Sequence, residues 1–106
     1  MKIKVYRNED VSKVIAFIPR GHRHIRLLVE FKDEAIVLQE ATVAGIVRAY
    51  LSVLLHPQRK AIELVQRKLS KSERKQGYAE YQLVEVDKRD EEILDELSKI
   101  LLCLNK

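Results

Sequence analysis

Apolar and polar residues alternate along the first forty residues, and this period of about two is typical of β-strands. The alternation predicts strands over residues 2–7, 11–18, 24–31 and 35–39. A polar segment, Pro19-Arg20-Gly21, separates the second predicted strand from the third. It fits a turn with proline at the second position and glycine at the fourth. The first forty residues are therefore predicted to form an antiparallel meander.

The hydrophobic period changes after this meander, where apolar side chains cover nearly every side of a helix predicted over Glu40–His56. A helix that is apolar all round lies in a core or is shared with another subunit. The residue before a proline avoids helical geometry, so this helix is expected to end at His56. Pro57 can open a second helix at its first position, and an apolar stripe extends that helix to about Lys71.

The rest of the chain predicts a strand over residues 78–86 and a final helix over 91–104, for which Asp90 is a candidate cap. The predicted fold class is α+β, an antiparallel four- to five-stranded sheet with two or three helices packed mainly on one face. Its 106 residues suit a single domain. Residues 1–86 would form the sheet-and-helix body, and residues 87–106 a C-terminal helix that is acidic and apolar.

Both faces of the predicted meander carry apolar residues. In the second strand Val14 and Ala16 lie on one face, whereas Ile15 and Phe17 lie on the other. Two or three helices suffice to cover only one face of the sheet. The other face would then be an apolar cleft, or it would be covered by further structure or a partner. These alternatives stay open at this point. The aromatic residue Tyr50 is expected in the core.

Composition excludes several classes of protein. With 46% hydrophobic and 34% charged residues, the chain is too apolar to be disordered. No stretch approaches the roughly 18 uncharged apolar residues of a transmembrane helix, and the first residues lack the apolar region of a secretory signal. The single Cys103 excludes an internal disulfide, so a reducing cytoplasm is predicted. The density of Lys, Glu and Arg fits a thermophile.

Charge is distributed unevenly along the chain. The net charge is +4, but residues 1–79 hold 16 Lys and Arg against 8 Asp and Glu, and residues 80–106 hold 4 against 8. This asymmetry indicates a basic body that meets an anionic partner, with an acidic tail outside the contact. The alternative is a densely charged surface of the kind that heat-stable proteins carry.

Catalytic and metal-binding patterns are weak. His22 and His24 resemble a metal-ligand pair, but Arg23 and Arg26 would repel a cation and no third ligand is evident. The chain has no glycine-rich phosphate loop, and acidic pairs such as Asp33-Glu34 fit solvated turns better than acid–base catalysis. We therefore expect no enzyme activity, no metal and no cofactor.

Basic residues cluster at two places, the first cluster over residues 20–26 and the second over residues 59–75, and clustering is what phosphate binding by counterion release requires. Arginine and aromatic rings also stack on unpaired bases. Base-edge reading of a duplex is not indicated, so the prediction is largely sequence-independent binding of single-stranded nucleic acid. Tyr6 borders the first cluster and could also stack. The candidate binding residues are Phe17, Arg20, His22, Arg23, His24, Arg26, Arg67, Lys68, Lys71, Arg74, Lys75 and Tyr78.

A protein-interaction or assembly subunit without nucleic-acid binding is the alternative function. The apolar helix over Val43–Leu55 could pair with its copy across a two-fold axis. A second route to a homodimer is an apolar seam on the last helix. Its residues recur at heptad spacing, as in a coiled coil: Ile93, Leu97, Ile100 and Leu104.

Two stretches of the chain resemble ThermoDBP and its relatives, a family of archaeal single-stranded DNA-binding proteins without the usual OB-fold. They are Glu40-Ala41-Thr42-Val43-Ala44-Gly45-Ile46-Val47-Arg48-Ala49-Tyr50-Leu51, continuing through His56-Pro57 to Leu64, and Glu73-Arg74-Lys75-Gln76-Gly77-Tyr78-Ala79. The resemblance implies an antiparallel sheet with helices and an apolar cleft that favours single-stranded DNA. The resemblance implies that the edge of this cleft is formed by basic residues, Arg20, Arg23, Arg26, Arg74 and Lys75. Its floor would be formed by Phe17 and Tyr78.

The chain departs from the family at its C-terminus. Family members with a long C-terminal zipper dimerise through it, whereas the last predicted helix here spans fewer than three heptads. A coiled coil of that length is a weak zipper on its own. The length of this helix therefore argues against dimerisation by this route.

Overall fold

The computed structural model describes residues 1–101, and it confirms the α+β class. Two compact units divide the chain, Met1–Val43 and a second unit that begins at Ala44. The single-domain prediction stays a prediction. In chain order the elements are a 3₁₀ turn at Asn8–Asp10, β1 (Val11–Phe17), β2 (Arg26–Phe31), β3 (Ala35–Gln39), α1 (Glu40–Leu55), β4 (Leu64–Lys68), β5 (Tyr81–Glu85) and α2 (Asp90–Leu101).

The first unit contains the predicted meander. β2 lies between β1 and β3, and all pairings are antiparallel. As the middle strand, β2 is half-buried along its whole length, whereas most of β1 and β3 is exposed. Residues directly opposite each other in a sheet share a face, so both faces are apolar, as predicted. Val14, Val29 and Ile36 are aligned on one face, and Ile15, Leu28 and Val37 on the other.

The strand predicted over residues 2–7 is wrong, because this segment has no regular secondary structure. The segment joins neither edge of the sheet, whose strand order is β1-β2-β3. Side chains hold the segment instead. Tyr6 stacks on Phe31 with ring centroids 3.9 Å apart, and Lys4 Nζ lies 3.2 Å from both Asp33 and Glu34. One face of the Tyr6 ring is thus already occupied, which argues against base stacking there.

In the second unit, α1 approaches β5 closely at a glycine. A Cβ atom at Gly45 would lie 2.6 Å from Leu83 Cδ1, so no larger residue fits without a shift. Arg48 Nη2 donates a hydrogen bond of 2.8 Å to the carbonyl oxygen of Leu83. Among the described residues, Ala61 and Ile93 are the buried hydrophobic side chains, and both belong to this unit.

The helix predicted from Pro57 to about Lys71 is wrong. Residues 64–68 form β4, which pairs antiparallel with β5 and places Val65 opposite Val84. The backbone groups that a helix would have satisfied internally are paired across this ladder, a case of tertiary context overriding local pattern. The strands consequently form a three-stranded and a two-stranded sheet rather than the single sheet predicted, with two α-helices in residues 1–101.

Two further observations concern the helices. Tyr50, expected in the core, is 64% exposed on α1, so that expectation is wrong. Over residues 1–101, every helix is too short or too polar to cross a membrane.

Candidate nucleic-acid interface

All the candidate binding residues except four lie in two hairpin connections, one in each unit. We call residues 18–25, between β1 and β2, the first basic loop, and residues 69–80, between β4 and β5, the second basic loop. The four exceptions, Phe17, Arg26, Arg67 and Lys68, lie on the strands that these loops join.

A tight turn shapes the first basic loop. The His22 amide donates a 3.0 Å hydrogen bond to the Pro19 carbonyl, and Gly21 has a φ of 81°. A positive φ at the third residue alone defines a type II turn, which glycine adopts without strain. Proline is therefore first and glycine third, one residue later than predicted. Arg20 consequently occupies the second position of the turn and is exposed.

The end of the first basic loop is anchored by a carboxylate that sequence reasoning missed. Glu40 Oε2 lies 2.7 Å from His24 Nδ1 and accepts a 3.3 Å hydrogen bond from the Ile25 amide. Arg26 in turn donates to the His24 carbonyl at 3.4 Å. The sequence pattern marks Glu40 only as the start of a helix, and nothing local indicates its pairing with a residue sixteen positions earlier. His24 therefore positions the loop.

Phe17 and Arg26 lie directly opposite each other where β1 and β2 meet the first basic loop. They share a sheet face with Ile15 and Val37, which are 43% and 54% exposed. The face is thus an open apolar surface with an aromatic ring and a guanidinium group at its loop end. Within residues 1–101 no carboxylate lies within 4.0 Å of the cationic groups of Arg20, Arg23 or Arg26.

Glu73 organises the second basic loop from inside. Its Oε1 atom accepts hydrogen bonds from the Ser70 amide at 3.1 Å and the Ser70 hydroxyl at 3.0 Å. The Arg74 amide donates to the Ser70 carbonyl at 3.1 Å, and the Arg67 guanidinium pairs with the Glu73 carboxylate. A charge-assisted network of this kind fixes the backbone that carries the surrounding cations.

A second tight turn presents an aromatic ring next to a cation. The Tyr78 amide donates to the Lys75 carbonyl at 3.1 Å, and the turn has Gly77 at its third position with a φ of 85°. Lys75 Nζ lies 6.0 Å from the centroid of the Tyr78 ring, at the outer limit of a cation–π contact. Tyr78 is 62% exposed, so a base could stack on it.

The cations of the second cluster divide into paired and unpaired groups. Arg67 pairs with Glu73 and Lys68 Nζ lies 3.4 Å from Glu80, whereas no carboxylate of the described residues lies within 4.0 Å of Lys71, Arg74 or Lys75. Arg67 and Lys68 are consecutive on β4, so they point to opposite faces. These two cations therefore do not share one side, as they could on the helix predicted from Pro57 to about Lys71.

Neither loop has the arrangement of a metal site. Across residues 1–101 no three His, Cys, Asp or Glu side chains come together in a way that could hold a metal ion. An open pocket of about 420 Å³ lies elsewhere in the second unit, beside His56 and the start of α2. Two arginines that line it, Arg59 and Arg89, already pair with Glu85 and Glu92. The absence of enzyme activity, metal and cofactor stays a prediction.

Comparison of the chain with protein-family models, with curated proteins and with solved structures found no match. The resemblance to ThermoDBP proteins stays a prediction.

Proposed function

We propose that this chain is a non-catalytic protein that binds single-stranded nucleic acid with little dependence on sequence. The observation that carries the proposal is the placement of Phe17 beside Arg26 on an exposed apolar sheet face, next to a loop whose arginines have no carboxylate within 4.0 Å in residues 1–101. The resemblance of the sequence to ThermoDBP proteins favours single-stranded DNA as the ligand.

The chemistry of this surface matches the two parts of an unpaired nucleotide. Arginine and lysine attract phosphate and release its counterions, while aromatic rings stack on bases with about 1–3 kcal/mol for each base. Duplex bases are stacked inside the helix and cannot reach the apolar face. A preference for single strands therefore follows from the apolar surface, and cations alone would not supply it.

The second basic loop supports the same function with the same elements. Lys71, Arg74 and Lys75, which lack a carboxylate partner within the part of the chain that the structure describes, stand close in sequence to the exposed ring of Tyr78. The first basic loop has no asparagine or glutamine and the second has one, Gln76, so the chain lacks the repeated amide and guanidinium pattern that reads base edges in a groove. Affinity should therefore vary little among sequences of equal length.

Titration of labelled 20-nucleotide single strands and duplexes at several salt concentrations tests the proposal. We expect single strands to bind more tightly, with affinity falling as salt rises, by about 0.7 in log–log slope for each phosphate neutralised. Replacing both Arg23 and Arg26 with alanine should weaken binding at least tenfold for all sequences alike. The matched control is Arg89→Ala, since that arginine pairs with Glu92 outside both loops.

Three results would refute the proposal: affinity that ignores salt, a preference for duplex, or wild-type affinity in the double arginine variant. Base stacking has its own readout because the chain contains no tryptophan. In Tyr78→Trp, oligonucleotide should quench the indole fluorescence. Tyr81→Trp is the control, since Tyr81 lies on β5 and is 50% exposed. Equal quenching of both indoles would exclude stacking at Tyr78.

A further inference from the structure

The helix α1 has two sides of opposite character. One side meets β5, where Gly45 contacts Leu83 and Arg48 bonds to the carbonyl of the same residue. On a helix of 3.6 residues per turn, the opposite side holds Val47, Tyr50 and Leu54. The large apolar side chains that α1 leaves 40–66% exposed are Ile46, Val47, Tyr50, Leu51, Leu54 and Leu55; we call them the outer face of α1.

Charge excludes an ionic partner for the outer face. The charged residues of α1 are Glu40, in its first turn, and Arg48, whose guanidinium faces Leu83. The outer face therefore offers nothing to a phosphate or an acidic peptide. It needs a partner with an equally uncharged apolar surface.

We propose that the outer face of α1 binds the same face of a second copy of this chain, forming a homodimer. A two-fold interface brings the same patch together from both subunits, and the stripe of Val47, Tyr50, Leu51 and Leu54 has the i, i+3, i+4, i+7 spacing of helix–helix contacts. A second copy supplies a matching surface, since its own outer face is apolar, uncharged and helical.

The available area is sufficient for a small stable interface. A fully exposed tyrosine presents roughly 150–250 Å² and an aliphatic residue less, so six side chains at 40–66% exposure offer at most about 600 Å² in each copy. Two copies would bury up to about 1,200 Å², the lower end of specific interfaces. Within residues 1–101 the buried hydrophobic side chains are Ala61 and Ile93, so the chain by itself buries little of its apolar surface. A dimer would bury more of it.

The apolar seam of α2 is a weaker candidate for the same partner. Ile93, the first residue of that seam, is 5% exposed and so already buried within its own chain. Leu104, the last, lies outside the described residues. α2 also carries five acidic residues and one lysine, so two copies of it would repel each other.

Sedimentation equilibrium of the full chain from 1 to 100 µM tests the dimer. We expect the wild type to dimerise, and Leu54→Glu to weaken the dimer at least 100-fold, since two carboxylates would enter an apolar contact. Leu97→Glu is the matched control: it places the same charge on the exposed part of the α2 seam and should leave the dimer intact.

A mixture of oppositely charged variants separates loss of the interface from loss of the fold. Leu54→Glu and Leu54→Lys should each be monomeric, and an equimolar mixture should form a heterodimer with the circular dichroism of the wild type. The proposal is overturned by a wild type that is monomeric at 100 µM, by a dimer that survives Leu54→Glu, or by dissociation with Leu97→Glu alone. Failure to form the heterodimer would overturn it as well.

Discussion

At the scale of single residues, Gly45 shows how one missing side chain sets the distance between a helix and a strand. The Cβ of an alanine there would lie 2.6 Å from Leu83 Cδ1 and 3.2 Å from Leu83 Cβ. The first atom ends a flexible side chain, but the second is fixed to the backbone of β5. Relief of the contact therefore requires α1 or β5 to move.

Gly45→Ala should lower the free energy of unfolding by about 1 kcal/mol. Overpacking costs about 1–3 kcal/mol, and the better helix propensity of alanine returns up to about 1 kcal/mol. Thermal unfolding would show a fall of about 5 °C. In the control cycle, Leu83→Ala should cost less in the Gly45→Ala background than in the wild type. A rise in melting temperature would contradict the prediction, because it would mean that the Leu83 side chain moves aside without strain.

The N-terminal segment depends on two carboxylates whose protonation can be tested. Hydrogen bonds from the Tyr6 hydroxyl, and then from Lys4, lower the pKa values of both Asp33 and Glu34. A carboxylate with a lowered pKa stabilises the folded state above its ordinary pKa, and this contribution is lost as the pH falls through the lower value. Partial removal from water, followed by these hydrogen bonds, raises the pKa of Tyr6 to about 12.

Acid should therefore release residues 2–7 before the strands unfold. Amide exchange of Tyr6 and its neighbours, measured against exchange in β2, should accelerate as the pH falls below about 4. The double variant Asp33→Asn with Glu34→Gln should show weak protection of this segment at every pH. Protection that stays constant down to pH 2 in the wild type would contradict the role given to the carboxylates.

At the scale of elements, the hairpin of β4 and β5 determines what the second basic cluster can do. As a helix, residues 57–71 would have offered several cations on one side; as a strand, Arg67 and Lys68 face opposite ways. Lys71, Arg74 and Lys75, which have no carboxylate within 4.0 Å among residues 1–101, lie instead in the loop that Glu73 holds together. Loop order and loop charge are thus linked through one carboxylate.

Two substitutions of Glu73 should separate loop order from loop charge. Glu73→Gln keeps an oxygen for the Ser70 amide but frees Arg67, so affinity for single strands should rise about two- to threefold, as expected for one additional phosphate contact. Glu73→Ala also removes the acceptor, so amide exchange at Ser70 and Arg74 should accelerate. Exchange measurements and titration check both. Identical affinity and identical amide exchange in the two variants would contradict the separation of loop order from loop charge.

At the scale of the whole molecule, acidic residues of α2 should oppose an anionic ligand at long range. Glu91 and Asp95 have no basic partner within 4.0 Å among the described residues, unlike Glu92 and Glu96, which pair with Arg89 and Lys88. Their charges therefore act through solvent, where the screening length is about 30 Å at 0.01 M salt and about 3 Å at 1 M.

Glu91→Gln combined with Asp95→Asn raises the net charge from +4 to +6. Association with a single-stranded oligonucleotide should become several-fold faster at 0.01 M salt, because steering depends on the summed field. Stopped-flow measurements should show the gain vanish at 0.5 M salt. A gain that persists at high salt would indicate a local contact and contradict the long-range effect.

The sequence was informative about the parts of the candidate interface that depend on nearby residues. The clusters around Arg23 and Arg74 are visible as composition, and each lies in a hairpin connection. Which cations carry an acidic partner could not be predicted, because Glu80 reaches Lys68 only through the β4–β5 pairing. The contact between Glu40 and His24 likewise depends on a strand pairing, that of β2 with β3, which the local sequence does not show.

By itself, the sequence determined three of the four strands predicted for the meander, both ends of α1 to within a residue and the start of α2, since turn chemistry and hydrophobic period are properties of neighbouring residues. Only the tertiary structure decided that residues 64–68 pair with residues 81–85 and that the apolar side of α1 around Tyr50 is exposed. A strand ladder satisfies the backbone with residues far along the chain, and exposure depends on what packs nearby. Neither the strand pairing nor the exposure of a side chain can therefore be deduced from a local sequence pattern.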